Sequence, residues 1–276
     1  MRSLHIILLI FYSSVLFSQE NNTENKTIKH QATYSISWQP DSLNVNSKIK
    51  NKKYKLLMFE NGSLYVDSNR LKLDSLIQDS ENRGTSFALL SNMNSLPQPN
   101  SNNRILKQYS KNTLWSLNQV SGTTYQYSEK LKLMDWKIED DIKIINTYKC
   151  QKATVNYSGR NYIAWFTSEL PINDGPYKFS GLPGLIILLH DTKNQYSFEL
   201  INFQKTNYLQ SFDVFNNAKI ISKKDYKKIR NAYINNPIVQ MEGEGAVFSE
   251  ETKRQIIKMI RNKNKNNNNR IELTDD

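Results

Sequence analysis

The sequence predicts a β-rich α+β domain, an antiparallel sheet followed by C-terminal helices. Three observations carry this reading. Short runs rich in aromatic and β-branched residues recur through most of the chain, separated by turn residues. Asn61-Gly62, a pair whose tolerance of positive φ favours a tight hairpin, sits between two such runs. Beyond residue 220 the alternation gives way to charged segments that open on helix-start signals at Ser222 and Ser249.

Taken in order, residues 1–18 read as a secretory signal peptide. Arg2 precedes an apolar run over 6–12, Val15, Leu16 and Phe17 extend it, and Ser18 is small enough for cleavage after it. The run falls short of the roughly 20 apolar residues that span a bilayer. The expectation is therefore export, to the periplasm, the outer-membrane surface or the medium, with no transmembrane segment after removal of the signal. Residues 19–30 are polar and read as a disordered leader, residues 31–261 as a single β-rich domain, and residues 262–276 as an Asn-rich polar tail.

Within the domain, residues 32–38 alternate, with Tyr34, Ile36 and Trp38 on one face, the period of a half-buried strand. Residues 53–60 and 63–66 form the arms of the Asn61-Gly62 hairpin. Residues 68–103 read as a long connection holding a short helix over 71–77. Residues 105–109, 113–117 and 123–127 follow as a meander. Strands over 136–139, 142–145, 148–157 and 160–167 are joined by turns at Asn146-Thr147 and Ser158-Gly159, and residues 171–178 form a loop. The continuous apolar run 185–189 reads as a strand covered on both faces, and 195–203 alternates again. Ser222-Lys223-Lys224-Asp225 resembles a capping box opening a helix that stops before Pro237. The last helix begins at Ser249, with Ile256, Ile257 and Ile260 as its apolar stripe.

A net charge of +11 invites a nucleic-acid partner. The lysines, however, lie in asparagine-rich surroundings with no accompanying nucleic-acid motif, so no such partner is expected. The charge leaves anionic lipid headgroups or acidic polysaccharide as non-specific partners. Cys150 is the single cysteine, so no intramolecular disulfide forms, and it reads as a small buried hydrophobe. Only His30 and His190 lie past the signal, too few ligands for a metal site, and no cofactor is expected. No Gly-x-Ser-x-Gly elbow is present. Asp140 and Asp141 are adjacent, so on a strand they point to opposite faces.

The hexapeptide Gly181-Leu182-Pro183-Gly184-Leu185-Ile186 resembles the signature of the GLPGLI family of exported Bacteroidetes proteins. Further agreement in the same order comes from Trp136-Lys137-Ile138, the run from Tyr148 to Thr154, Gly159-Arg160, the run from Ala164 to Thr167, and Gly175-Pro176. Asn146-Thr147 stands where the family pattern has a glycine, and Arg270 where it has a proline. The resemblance implies a signal peptide and a strongly bent antiparallel sheet closed by helices, a half barrel like that of lipoprotein carriers. It implies no reaction.

Gly181 and Gly184 supply backbone freedom and Pro183 fixes φ, so the hexapeptide reads as a structural turn feeding Leu185 into a core strand. Four residues around it are candidates for binding a ligand or partner. Arg160 has fork-shaped donors for a carboxylate or phosphate, with Asp174 or Glu169 as its ordinary ion-pair partner; Asp174 and Tyr177 lie in the loop over 171–178, and Trp165 reads as core. With no catalytic constellation, the leading expectation is a non-enzymatic envelope protein that binds a hydrophobic ligand, lipid or partner protein. An envelope hydrolase would need acids such as Asp174, Asp191 and Glu199 to converge in a cleft. A structural subunit of an envelope complex would expose a large apolar patch.

Overall fold

The computed structural model describes residues 25–85 and 95–274; the expected signal peptide lies outside them. Among these residues, twelve strands form one sheet in the order β12-β6-β5-β4-β3-β2-β1-β11-β10-β9-β8-β7. Its strands are β1 (Lys26–Trp38), β2 (Ile49–Phe59), β3 (Gly62–Asp67), β4 (Arg104–Gln108), β5 (Thr113–Val120), β6 (Thr123–Lys130), β7 (Lys137–Ile145), β8 (Tyr148–Tyr157), β9 (Arg160–Thr167), β10 (Leu185–Asp191), β11 (Tyr196–Gln210) and β12 (Lys219–Ile220). Helix α1 (Ser68–Asn82) follows β3, and α2 (Lys223–Asn235), α3 (Pro237–Gly243) and α4 (Glu250–Lys265) follow β12. The sheet is not closed. Two meanders, β1 to β6 and β7 to β11, are stitched together by the long antiparallel pair β1–β11. The one departure from antiparallel pairing is short β12, which lies parallel to β6.

The turns follow from residue chemistry. Asn146 and Thr147 have φ of 48° and 75°, and Ser158 and Gly159 have 45° and 78°, the double positive φ that matches the twist of two-residue hairpins. The hairpin at Asn61-Gly62 forms by another route. Neither residue has positive φ; Glu60 and Asn61 make the loop while Gly62 pairs with Phe59. Glycine is needed there for clearance, because a Cβ would sit 2.1 Å from the Lys107 carbonyl oxygen and 2.8 Å from the Phe59 ring.

The larger core covers one face of the sheet and gathers Tyr34, Leu56, Tyr65, Ile105, Phe166 and Leu185 from both meanders, together with Phe179 and Leu182 of the β9–β10 connection. The smaller core lies on Leu57, Leu64, Val66 and Leu117 and is capped by Phe212 and Phe215. β3 separates the two cores, and all six of its residues are buried. The Tyr34 hydroxyl, fully buried, donates to the Ile186 carbonyl at 2.7 Å, as a buried phenol requires.

Several element boundaries differ from the sequence expectation. The strands expected over 136–139 and 142–145 are one strand, β7, with a bulge between Ile138 and Ile142, while β2 starts earlier, at Ile49, and β11 runs on to Gln210. The leader expected through His30 is ordered from Lys26, because residues 26–28 pair with β11 and Ile28 enters the smaller core. The short helix over 71–77 is a longer α1, started by Asp67, whose carboxylate accepts from the Asn69 and Arg70 amides. The polar tail is built into the fold. α4 runs on to Lys265, Asn269 is 3% exposed, and Ile271 packs on the larger core. Both later helices begin where expected, with Ser222 and Ser249 accepting the Asp225 and Thr252 amides. α3, between them, was not expected; it starts at Pro237, a favoured first helical residue.

Candidate functional site

The β9–β10 connection crosses the sheet to the opposite meander. The Lys107 ammonium of β4 meets Asp174 Oδ1 at 2.5 Å and donates to the Gly175 and Phe179 carbonyls at 2.9 and 3.0 Å. The two side chains are 0% and 2% exposed, so all three ammonium donors are spent inside the protein. Farther along, Lys178 bridges Glu129 of β6 at 2.9 Å and Glu272 of the tail at 2.8 Å. Trp136 donates to the Ser180 carbonyl at 2.9 Å. The connection therefore packs as a plug over the sheet face that carries the larger core, tied to both meanders.

The hexapeptide sits at the root of the plug. Gly181 has φ +95° with open space around its Cβ position, so its need is conformational. A Cβ on Gly184 would stand 2.0 Å from the Thr167 carbonyl oxygen, so its need is clearance. Leu182, Leu185 and Ile186 are buried, while Pro183 is exposed.

Arg160 is not available to a ligand. Its five donors make five hydrogen bonds: to the Arg270 carbonyl twice, at 3.1 and 2.8 Å, to Asp191 at 3.1 Å, to Gln195 at 2.9 Å and to Asn269. Its ion-pair partner is thus Asp191 rather than Asp174 or Glu169. Asp174 is taken by Lys107, and Glu169 accepts the Lys149 amide. The reason lies in the tail, where the Arg270 carbonyl and the Asn269 side-chain oxygen draw the guanidinium across the end of β9. Trp165 lies half-buried against the larger core, with the Lys143 ammonium 4.0 Å above its ring. Cys150 is buried, and burial pushes its thiol up to about 11.

Of the four candidates, Tyr177 lines a groove. The groove holds about 270 Å³ and is lined by Ile36, Trp38, Tyr54, Tyr65, Asn100, Ser101, Asn103, Ile105, Tyr177, Tyr196, Phe198, Asn267 and Ile271. Tyr54 and Tyr65 stack with ring centroids 5.3 Å apart, and Tyr177 meets Tyr65 edge-on at 6.5 Å. Tyr54, Tyr65, Tyr196 and Phe198 form a buried floor; Trp38, Tyr177 and Ile271 are half-buried walls; Asn100, Asn103 and Asn267 are exposed at the rim. Burial, with neighbouring Asp67, holds the Tyr54 hydroxyl well above the usual range, and burial with Arg160 nearby leaves that of Tyr196 pushed up to about 12. The Tyr177 hydroxyl donates to Glu272 at 2.7 Å and that of Tyr196 to the Asn269 carbonyl at 2.6 Å. Burial keeps these phenols neutral.

A second cavity of about 330 Å³ lies between α1 and residues 210–217. Both of its arginines are paired internally, Asp74 being bridged by Arg70 and by Arg104 at 2.5 Å. Asp174, Asp191 and Glu199 do not converge. The first two are buried in separate ion pairs and Glu199 is exposed on β11. Among the described residues no cluster of three or more His, Cys, Asp or Glu could hold a metal ion, and no helix is long and apolar enough to cross a membrane.

The sequence reading missed most of the groove. The alternation over 32–38 pointed to Ile36 and Trp38, but Asn100, Ser101 and Asn103 lie in what reads as a variable connection, and Asn267 in a low-complexity run. Two PNGF-II structures, in space groups P21 and C2, share the fold, each with a TM-score of 0.52 and 14% identity. The likeness covers 73% and 74% of this chain and 33% and 32% of those chains, so this chain spans about a third of their length. No curated protein matches. A family model described as "Protein of unknown function (Porph_ging)" matches residues 157–188, the stretch that carries β9, the plug and the hexapeptide, so over that stretch the chain is similar to a Bacteroidetes-associated family of unknown function.

Proposed function

We propose that this is an exported, non-enzymatic binding protein whose groove takes a small ligand with an apolar face. The observation that carries the reading is the lining itself: an aromatic floor and walls with no carboxylate, imidazole, thiol, ammonium or guanidinium among the lining residues. A site of that make-up can hold a molecule but offers no nucleophile or general base apart from phenols kept neutral by burial. The plug favours a small ligand over a long lipid, since Phe179 and Leu182 are fully buried against the sheet face that a lipid chain would otherwise need. Export is supported by the charged start, apolar run and small residue of positions 1–18.

Native mass spectrometry on protein purified gently from its own envelope tests the binding reading. A bound small molecule is expected, and the Trp38→Ala variant should lose it. A protein that arrives bare, or a ligand that Trp38→Ala retains, refutes the reading. Export is checked separately by fractionation, where the mature N-terminus should begin at Gln19.

A further inference from the structure

We infer that the ligand of this groove is an uncharged carbohydrate, one or two sugar rings laid against Trp38 and Tyr177 and hydrogen-bonded by the rim amides. This deepens the binding reading and rests on it. The first argument is charge. The chain has 37 Lys and Arg and 26 Asp and Glu in 276 residues, yet none lines the groove. A ligand bearing a carboxylate or phosphate would find no counter-charge there and would be desolvated without a partner; the lining is matched to a neutral molecule.

The second argument is the pairing of surfaces. A sugar ring has a face of C–H groups and an equator of hydroxyls that both donate and accept. Aromatic rings match the face, and a side-chain amide offers a donor and an acceptor together. The groove has both in the right places, half-buried Trp38 and Tyr177 as walls and Asn100, Asn103 and Asn267 above them. Asn100 is held in position at the rim, its side-chain nitrogen donating to Asp67 at 3.1 Å and its backbone nitrogen to the same carboxylate oxygen at 3.0 Å. An alkyl chain would satisfy the walls but strip water from the rim amides without replacing it.

The third argument is size. About 270 Å³ lies just below the roughly 300–1,000 Å³ of drug-sized pockets, which suits one or two rings and not a polymer-length or acyl ligand.

The test uses the chain purified after signal removal and a panel of uncharged mono-, di- and trisaccharides of gluco, manno, galacto and N-acetylated configuration. Digalacturonate and laurate serve as charged and alkyl comparisons. Saturation-transfer NMR reads contact and Trp fluorescence reads affinity. At least one neutral sugar should bind, digalacturonate should not, and both Trp38→Ala and Asn103→Ala should weaken binding tenfold or more. Asn103 is exposed at the rim, so its variant keeps the fold, and an unchanged thermal midpoint confirms that. Silence across the sugar panel overturns the inference. So does sugar binding that neither variant weakens, since it then occurs elsewhere. Laurate binding that Trp38→Ala abolishes, with no sugar bound, overturns the carbohydrate assignment while leaving the binding reading in place; absence of both kinds of binding removes the two together.

Discussion

Replacing Lys107 by Met keeps most of the side-chain volume and removes only the ammonium. In the folded protein that ammonium is 0% exposed and holds Asp174 Oδ1 at 2.5 Å together with two carbonyls of the plug. Without it a carboxylate that is 2% exposed stays buried with no counter-charge. Breaking one side of a buried pair costs about 3–5 kcal/mol, a large fraction of the roughly 5–15 kcal/mol that holds a domain together. At roughly 2–4 °C per kcal/mol for a chain of this size, the midpoint should fall by about 10 °C. Urea unfolding followed by tryptophan fluorescence measures the free energy directly. The double variant Lys107→Met/Asp174→Asn should recover part of the loss, with a coupling of about 1–3 kcal/mol, because the orphaned charge is then gone. A single variant within about 1 kcal/mol of the parent, or strictly additive variants, would refute the claim that this ion pair clamps the plug to β4.

Two further substitutions probe the same region by different physics. Gly184→Ala should destabilise by about 1–3 kcal/mol through its collision with the Thr167 carbonyl, whereas Gly181→Ala, strained in φ but sterically open, should cost about 1 kcal/mol; the reverse order in chemical denaturation would contradict the assigned roles. Glu129 titrates below the usual carboxylate range: burial alone would raise it, but Lys178 and Lys223 prevail. A depressed folded-state value means that its stabilisation is present above the unfolded value of about 4.3 and is lost as pH falls through the lower folded one. Glu129→Gln should therefore unfold earlier than the parent at pH 7, with the gap closing toward pH 3, and a gap that persists in acid would point to packing instead.

The fold was legible where local chemistry decides it. Turns at Asn146-Thr147 and Ser158-Gly159, the strands they join and the caps at Ser222 and Ser249 follow from neighbouring residues alone. The groove was not legible, because its lining converges from β1, β2, β3, the connection before β4, β4 itself, the plug, β11 and the tail, and nothing local marks Asn103 or Asn267 as neighbours of Trp38 in one lining. The partner of Arg160 was hidden for the same reason. Asp191 lies at the end of β10, beyond the plug, and the Arg270 carbonyl comes from the far end of the chain. The tail misled through composition: an asparagine run looks unable to pack, yet Asn269 is buried with its amide on the Gln39 carbonyl and its backbone nitrogen on that of Pro40. Polarity excludes a segment from an apolar core, but it does not exclude it from a network of buried donors and acceptors.

If the groove binds as proposed, the tail links stability to binding, since Asn267 and Ile271 line the groove and residues 269–274 are fastened to the sheet. The fastening is the Arg160 fork, the Tyr162 donor on the Ile271 carbonyl at 3.2 Å, and the Leu273 amide on the Ser158 carbonyl at 2.9 Å. Lysine in place of Arg160 keeps the charge but cannot hold Arg270, Asn269, Asp191 and Gln195 at once with three donors from one point. Arg160→Lys should therefore raise the population of tail-released molecules without unfolding the sheet. Hydrogen exchange should quicken at the Asn269 and Leu273 amides and stay slow at β1 and β10. A ligand that touches Asn267 or Ile271 binds only the docked state, so its apparent affinity falls by the docked fraction, and by the same linkage a saturating ligand should restore protection to the tail amides. If Arg160→Lys frees the tail and affinity does not change, the tail is an ornament of the fold and the groove is complete without it; if the two fall together, the C-terminal strap is one wall of the binding site.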